Sequence, residues 1–311
     1  MWAAVEGTGT PGQDGSKGRN AMTITAETRL VGLFGYPVGH SLSPAMHNAA
    51  FAALGLNLRY VAFPVPPAHL ADAVRALRAL SFRGVNVTIP HKVAIVPLLD
   101  ALDEEARAIG AVNTVIVEAD GRLVGTNTDG RGYVRSLVEE TGVDLAAQRV
   151  LILGAGGAAR AVAVSLAKGG ASRIAIANRT PEKAAELAAH LAPFADAWAV
   201  PPERLADAVR EATLLINTTS VGMVPHADET PLPPEWLHDG LLVSDLVYRP
   251  LKTRLLREAE ARGLVTHGGL GMLVHQGALA FERWTGRPAP VALMRDAALR
   301  ALAAEKEGKE C

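Results

Sequence analysis

The sequence predicts an α/β protein of two domains, one on an open, mostly parallel sheet and one on a doubly wound sheet. Three observations carry this. Short apolar runs alternate with amphipathic stretches from Arg29 onward, and a glycine-rich turn at 154–159 stands between a strand pattern and an Ala-rich helix pattern. The 311 residues also exceed the size at which a single core usually stops growing.

A first strand is expected over 29–34. After a Gly- and Pro-containing loop, Ser43-Pro44 suits the N-cap and first position of a helix that ends at Gly55. A strand over 60–65, a helix over 69–80 and a strand over 84–89 follow, with Pro90 breaking the pattern. These units give parallel crossovers. The strands 112–117 and 122–125 flank Asp120-Gly121, a dipeptide suited to a tight hairpin, so one antiparallel strand should interrupt the sheet. A helix over 130–141 leads to a boundary segment at 143–149. A second α/β series then opens at 150–153, with further strands over 173–177, 214–217, 242–245 and 264–266.

Composition narrows the function. With 31 basic against 32 acidic side chains, the formal net charge is −1, and nothing favours nucleic acid or an anionic membrane as partner. Apolar stretches are interrupted every few positions, which excludes a membrane-spanning helix. The single cysteine, Cys311, allows no internal disulfide and points to a reducing, cytoplasmic setting. Residues 1–20 lack the pattern of a secretory signal and read as disordered, with Met22 an alternative start.

The run Gly154-Ala155-Gly156-Gly157-Ala158-Ala159 fits the Rossmann fingerprint Gly-x-Gly-x-x-Gly/Ala between a strand and a helix. Gly154 suits the tight turn and Gly156 the close approach to a pyrophosphate, while the helix beginning near Gly157 aims free amides at it. About 20 residues on, at the end of the next strand, stand Asn178, Arg179 and Thr180. A guanidinium where an acidic residue would bond the ribose of NAD favours NADP. The alternative is a structural glycine turn and a solvated arginine.

Polar clusters precede this loop at strand ends. Ser41 and Ser43 at a helix start could meet a small carboxylate, or Ser43 could simply cap the helix. Asn86, Thr88 and Lys92 in one loop could bond a polyhydroxylated ligand, or serve the turn. Asn113-Thr114 and the run Thr126 to Gly130 follow, again at strand ends. His40, His47, His91, His267 and His275 fall near these segments, but their spacing supports polar or packing roles and no metal site.

In these runs the sequence resembles the shikimate dehydrogenase family. The motifs are 35–48, 86–92 (Asn-Val-Thr-Ile-Pro-His-Lys), 110–114, 125–130, 154–160, 178–180, 217–223, 247–250 and 269–276, in that order from about Arg29 to the final helices. The resemblance implies that Ser41 and Ser43 hold a substrate carboxylate and that Asn86, Thr88, Asn113, Asp129 and Gln276 hold ring hydroxyls. Lys92 and Asp129 would form the catalytic pair for reversible reduction of 3-dehydroshikimate by NADPH. On the cofactor side it implies Gly154, Ala155, Gly156, Gly157, Ala158, Asn178, Arg179, Thr180, Thr218, Ser220, Met223 and Gly269. Tyr248 and Met223 are candidates for contact with nicotinamide or substrate, with core packing the alternative. The family fold implies a substrate-binding domain over 29–128 completed by 270–304, and a cofactor domain over 129–269. An extension at 1–28 and a charged tail at 305–311 remain outside it. A monomer or homodimer is expected. A quinate/shikimate dehydrogenase of broader specificity, or a non-catalytic NADP sensor, is the alternative activity.

Overall fold

The computed structural model describes residues 23–307, so the expectations for residues 1–20, Met22 and Cys311 fall outside the described residues. At 25–28 the chain forms a turn, with Thr28 N–H donating to the Thr25 carbonyl at 3.0 Å and Thr28 Oγ1 donating to Asn57 Oδ1 at 2.7 Å. The end of the stretch read as an extension is therefore pinned to the first sheet's connections.

The first half runs β1 (Arg29–Gly35), α1 (Ser43–Ala53), β2 (Leu58–Pro64), α2 (Leu70–Ala79), β3 (Gly84–Val87), α3 (His91–Ala94), β4 (Ala101–Leu102), α4 (Glu104–Ile109), β5 (Thr114–Val117) and β6 (Leu123–Thr126). Its strands form one six-stranded sheet in the order β2-β1-β3-β5-β6-β4. β1 runs parallel to β2 and β3, whereas β5 is antiparallel to both β3 and β6, the interruption that Asp120-Gly121 predicts. Gly121 sits at φ +83°, the left-handed region this turn needs. Two short elements escape the periodicity. β4 is two residues long, and α4 is six, stopped by Gly110 at φ +72° after Asp103 Oδ1 accepts the Ala106 N–H at 2.9 Å.

Helix α5 (Asp129–Thr141) leads into β7 (Arg149–Leu153), α6 (Gly157–Lys168), β8 (Arg173–Ala177), α7 (Pro181–Leu191), β9 (Asp196–Ala199), α8 (Leu205–Glu211), β10 (Leu214–Asn217), β11 (Leu242–Asp245), α9 (Arg254–Ala261) and β12 (Thr266–Gly268). The second sheet has the order β12-β11-β10-β7-β8-β9 with every pair parallel. Renumbered from β7, that is the doubly wound order 6-5-4-1-2-3, whose reversal between β7 and β10 opens a crevice at the carboxyl ends of the strands. β9 carries exposed residues in alternation with half-buried ones, which is why it reads weakly in the sequence.

Helices α10 (Gly269–Thr285) and α11 (Val291–Glu307) return to the first sheet, and α11 continues into the stretch that reads as a charged tail. Trp284 is 1% exposed, donates its indole N–H to the Val115 carbonyl at 3.0 Å, and shares a core with Phe51, Tyr60, Phe281 and Met294. Gly84 is required beneath it, since a Cβ there would collide with both the Trp284 ring and the Val115 carbonyl.

Between the two sheets lies α5. A Cβ on Gly130 would collide with Ser165 and the Ala161 carbonyl of α6, and one on Gly132 would stand 2.5 Å from the Gln276 backbone nitrogen of α10. Close approach, rather than backbone freedom, requires both glycines. We predict that Gly132→Ala forces α10 away from α5, lowering stability by about 1–3 kcal/mol and displacing Gln276. Thermal unfolding of the purified variant checks this; an unchanged midpoint would show that the contact yields at no cost.

Candidate active site

The strand ends of the two sheets face one another across a cavity of about 670 Å³. Ser41, Ser43, Asn86, Thr88, Lys92, Asn113, Asp129, Tyr248 and Gln276 all line it, together with Ala158, Thr218, Ser220, Met223 and Gly269 from the cofactor set. Gly154, Ala155, Gly156, Gly157, Asn178, Arg179 and Thr180 are not among its lining residues; they belong to the turns that follow β7 and β8.

Lys92 is carried by α3, a single turn whose placement comes from its neighbours. His91 is buried with Nε2 at 2.7 Å from the Val65 carbonyl, and the Lys92 carbonyl accepts the Val112 N–H at 2.8 Å. The ammonium donates to Asp129 Oδ2 at 2.6 Å, with the two side chains 16% and 7% exposed. Asp129 is the first residue of α5. Its other oxygen accepts Asn113 Nδ2 at 2.8 Å, and Asn113 reaches Gln276 Oε1 at 3.4 Å. Buried charges persist only when paired and hydrogen-bonded, and here each partner is.

The serines are arranged differently from a helix cap. Leu42 occupies the N-cap position of α1 without a side-chain bond, and Ser41 Oγ accepts the Ser43 N–H at 3.3 Å. The expectation that Ser43 caps is thus corrected: Ser43 lies inside the helix, and its hydroxyl faces the cavity and the Tyr60 phenol.

The glycine turn fits a pyrophosphate. Gly154 takes φ +113° in a space where a Cβ would strike Thr218 Oγ1, and Gly156 has nothing within 4 Å of where a Cβ would be, leaving its backbone open to a ligand. Helix α6 begins at Gly157, so its unpaired first-turn amides lie beside that opening. A Cβ on Gly157 would stand 3.6 Å from Lys92 Cδ, so the lysine stem passes beside the glycine turn. Arg179 follows β8, exposed, near Asn178, whose Nδ2 donates to the Thr180 carbonyl at 2.9 Å.

Sequence reasoning assigned no role to the groups that shape this site from behind, although Asn217 and Thr219 stand in the 217–223 motif and Thr114 in the 110–114 motif. Thr219 to Val221 are held by Asn217, whose Oδ1 accepts Thr219 Oγ1 at 2.7 Å and whose Nδ2 donates to Asp245 Oδ1 at 3.0 Å. Burial pushes the Asp245 carboxyl up to about 6, against hydrogen bonds from Thr253, the Val247 N–H and Asn217. Tyr60 and Thr114 lie beneath the cavity floor, 2% and 0% exposed. Their shared partner, Asn86, sits on a different strand from either, so no short-range signal joins the three. Among the histidines, His40 lines the cavity, whereas His267 is buried between Ser136 Oγ at 2.7 Å and Ser244 Oγ at 2.9 Å, and His275 contacts Glu139 at 3.2 Å.

A dinucleotide-type sheet facing a second sheet that presents an ammonium–carboxylate pair defines a two-domain, dinucleotide-dependent oxidoreductase. Family comparisons narrow the class. Residues 33–115 match the shikimate dehydrogenase substrate binding domain, 136–225 match shikimate / quinate 5-dehydrogenase, and 269–299 match the shikimate 5'-dehydrogenase C-terminal domain. The chain is 55% identical over 292 residues to the shikimate dehydrogenase (NADP(+)) of Moorella thermoacetica, covering 92% of this chain and 98% of that one. A crystal structure of the shikimate 5-dehydrogenase of Thermus thermophilus in complex with NADP(H) and shikimate superposes with a TM-score of 0.80 at 45% identity, covering 88% of this chain and 99% of that one. The quinate dehydrogenase of Corynebacterium glutamicum in complex with NAD superposes with a TM-score of 0.82 at 33% identity, covering 88% and 99%. The chain belongs to the shikimate dehydrogenase family.

One residue packed behind Tyr60 ties stability to acidity. Burial holds the His47 imidazole neutral, its pKa lowered to about 3 from the usual 6.5. Above 6.5 it is neutral folded or unfolded; below, the unfolded chain binds a proton that the folded chain refuses. The stability it contributes is therefore full above about pH 6.5 and is lost progressively as pH falls toward 3. His47→Phe keeps a ring there and should flatten the fall of the unfolding midpoint between pH 6.5 and 4, measured by scanning calorimetry. Parallel curves for the two proteins would remove His47 from the account.

Proposed function

We propose that the chain catalyses the reversible, NADPH-dependent reduction of 3-dehydroshikimate to shikimate, a step of chorismate and aromatic amino acid biosynthesis. The observation that carries the reading is the Lys92–Asp129 pair at 2.6 Å inside a cavity that also contains Ser41, Ser43, Asn86, Thr88, Asn113 and Gln276. Family membership and the printed activity of the relative at 55% identity support it. One cysteine in the sequence agrees with a cytoplasmic enzyme.

In this reading Ser41 and Ser43, at the start of α1, bind the substrate carboxylate with neutral donors. Asn86, Thr88, Asn113, Asp129 and Gln276 bond the ring hydroxyls, and their amide, hydroxyl and carboxylate groups offer both donors and acceptors for them. Tyr248 borders the ring. Gly154, Ala155, Gly156, Gly157 and Ala158 hold the pyrophosphate, with Thr218, Ser220, Met223 and Gly269 lining the nicotinamide end of the cavity. Asn178, Arg179 and Thr180 surround the adenosine ribose, where the free guanidinium suits the phosphate of NADP.

The bound cofactor supplies a hydride to the substrate carbonyl carbon. Charge then grows on the carbonyl oxygen, and the Lys92 ammonium is the group placed to neutralise it and donate a proton. Asp129 aims that ammonium through Oδ2, while the Asn113 bond to Oδ1 keeps the carboxylate from rotating. In the oxidative direction the same lysine accepts the proton.

Absorbance of NADPH formed from shikimate and NADP tests the activity directly, and absence of turnover by the intact protein would overturn it. Lys92→Ala should lower kcat by ~10²–10⁴-fold, the usual share of positioned acid–base catalysis, while Ser43→Ala should mainly raise KM for shikimate. Undiminished kcat in Lys92→Ala would remove its role. Arg179→Ala should lower the ratio of kcat/KM with NADPH to that with NADH, leaving KM for the ring substrate in place. An unchanged ratio would place the phosphate elsewhere.

A further inference from the structure

Beneath the cavity floor, side-chain hydrogen bonds join the two ends of the site. The Ser43 side chain contacts the Tyr60 phenol. Tyr60 donates its hydroxyl to Asn86 Oδ1 at 2.8 Å, Asn86 Nδ2 donates to Thr114 Oγ1 at 2.9 Å, and Thr114 Oγ1 donates to Asn113 Oδ1 at 2.9 Å. Asn113 Nδ2 then donates to Asp129 Oδ1 at 2.8 Å, the carboxylate whose other oxygen holds Lys92.

The direction of each bond is fixed by a group that has no choice. Burial pushes the Tyr60 phenol far above its ordinary range, so it remains an O–H and can donate. The Asn113 backbone carbonyl, 3.2 Å from Asn86 Nδ2, can only accept, which sets the sense of the Asn86 amide. The Thr128 backbone N–H, 2.8 Å from Asn113 Oδ1, can only donate, which sets the sense of the Asn113 amide. Thr114 stands between a donor and an acceptor, and a hydroxyl meets both demands with one atom. Flipping either amide would set like groups against each other in a buried space, a full desolvation penalty rather than a small loss.

Tyr60 is in turn held from behind. The Asn48 side chain bonds both its backbone groups, accepting the Tyr60 N–H at 2.8 Å and donating to its carbonyl at 2.9 Å. The neutral His47 ring stacks on it with centroids 4.5 Å apart and planes 1° from parallel. Both His47 ring nitrogens lack a hydrogen-bond partner among the described residues, so the ring acts here as a flat apolar backing.

We infer that Tyr60 and Thr114, which do not line the cavity, are positioning residues that fix the amide faces of Asn86 and Asn113, and through them the orientation of the Lys92–Asp129 pair, by one unidirectional hydrogen-bond chain. The inference rests on the function proposed above. Substrate hydroxyls then meet amides already locked in one sense, so no binding energy is spent on turning them.

The test uses Tyr60→Phe, which keeps the ring and its stacking, and the pair Thr114→Val and Thr114→Ser, of which only the second keeps the hydroxyl. Tyr60→Phe should lower kcat/KM for shikimate by about tenfold, the scale of leaving one buried acceptor unmet. In an Asn86→Ala background the same change should cost less than about twofold, because the route is already cut. Thr114→Val should lower kcat by tenfold or more, with Thr114→Ser recovering most of it, and KM for NADP should stay put in all of these. Additive losses in the double variant, or Val and Ser behaving alike at 114, overturn the inference. A second readout needs no turnover: in the ligand-free protein, the Asn113 side-chain amide should exchange with solvent faster in Thr114→Val than in the parent or in Thr114→Ser, followed by NMR. If the parent protein fails to oxidise shikimate while this exchange pattern holds, the proposed function falls and the wiring stands. An unaltered exchange rate in Thr114→Val overturns the wiring itself.

Discussion

The seating of α5 between α6 and α10 is the constraint on which the rest of the molecule depends. Its first residue, Asp129, is half of the central ion pair, Gly130 lets α6 approach, and Gly132 lets the backbone of Gln276 approach. Three parts of the site are thereby indexed to one rigid element: the carboxylate, the glycine turn that opens α6, and the amide carried by α10. Side chains held on helices inside a dense packing are set within fractions of an ångström, the tolerance that proton and hydride transfer demand. Tyr133 and Leu137 of the same helix are buried in the core shared with α6 and α7, which binds α5 to the second half while its amino end serves the first.

The ion pair shows how burial and pairing offset each other. Removing an ammonium and a carboxylate from water is costly, and their mutual attraction compensates only when the remaining lone pairs are also met. Asn113 meets one of them, and Thr128 adds a bond to Asn113. A cluster paired in this way is held in one arrangement, and it lies at the wall of the cavity. The exposed Arg179 is the opposite case, a charge left in solvent.

Much of the fold was legible because it obeys local rules. The parallel series of the second half announces itself through continuous apolar runs such as Val150 to Leu153, which strands buried on both faces require. The hairpin before α5 is written in Asp120-Gly121. What escaped notice was either short, as β4 and α4, or patterned for solvent, as β9. The nine substrate-side positions read from motifs do converge on one cavity, since motifs at strand ends are gathered by any parallel sheet. The roles of the residues behind them were not legible. Tyr60 looks like an ordinary strand aromatic, Thr114 is visible only as the neighbour of Asn113 in a polar cluster, and tertiary structure alone places Asn86 between them.

The return of α10 and α11 to the first sheet has a consequence for the birth of the protein. The contiguous stretch from β7 to β12 can collapse as soon as it leaves the ribosome, because its strands and the helices α6 to α9 that cover them are all local in the chain. The first sheet emerges earlier yet must wait longer: Phe51 and Tyr60 share their core with Phe281, Trp284 and Met294, which are synthesised last. The half translated first is thus the half completed last, and until then it carries an uncovered apolar face of the kind that chaperones bind.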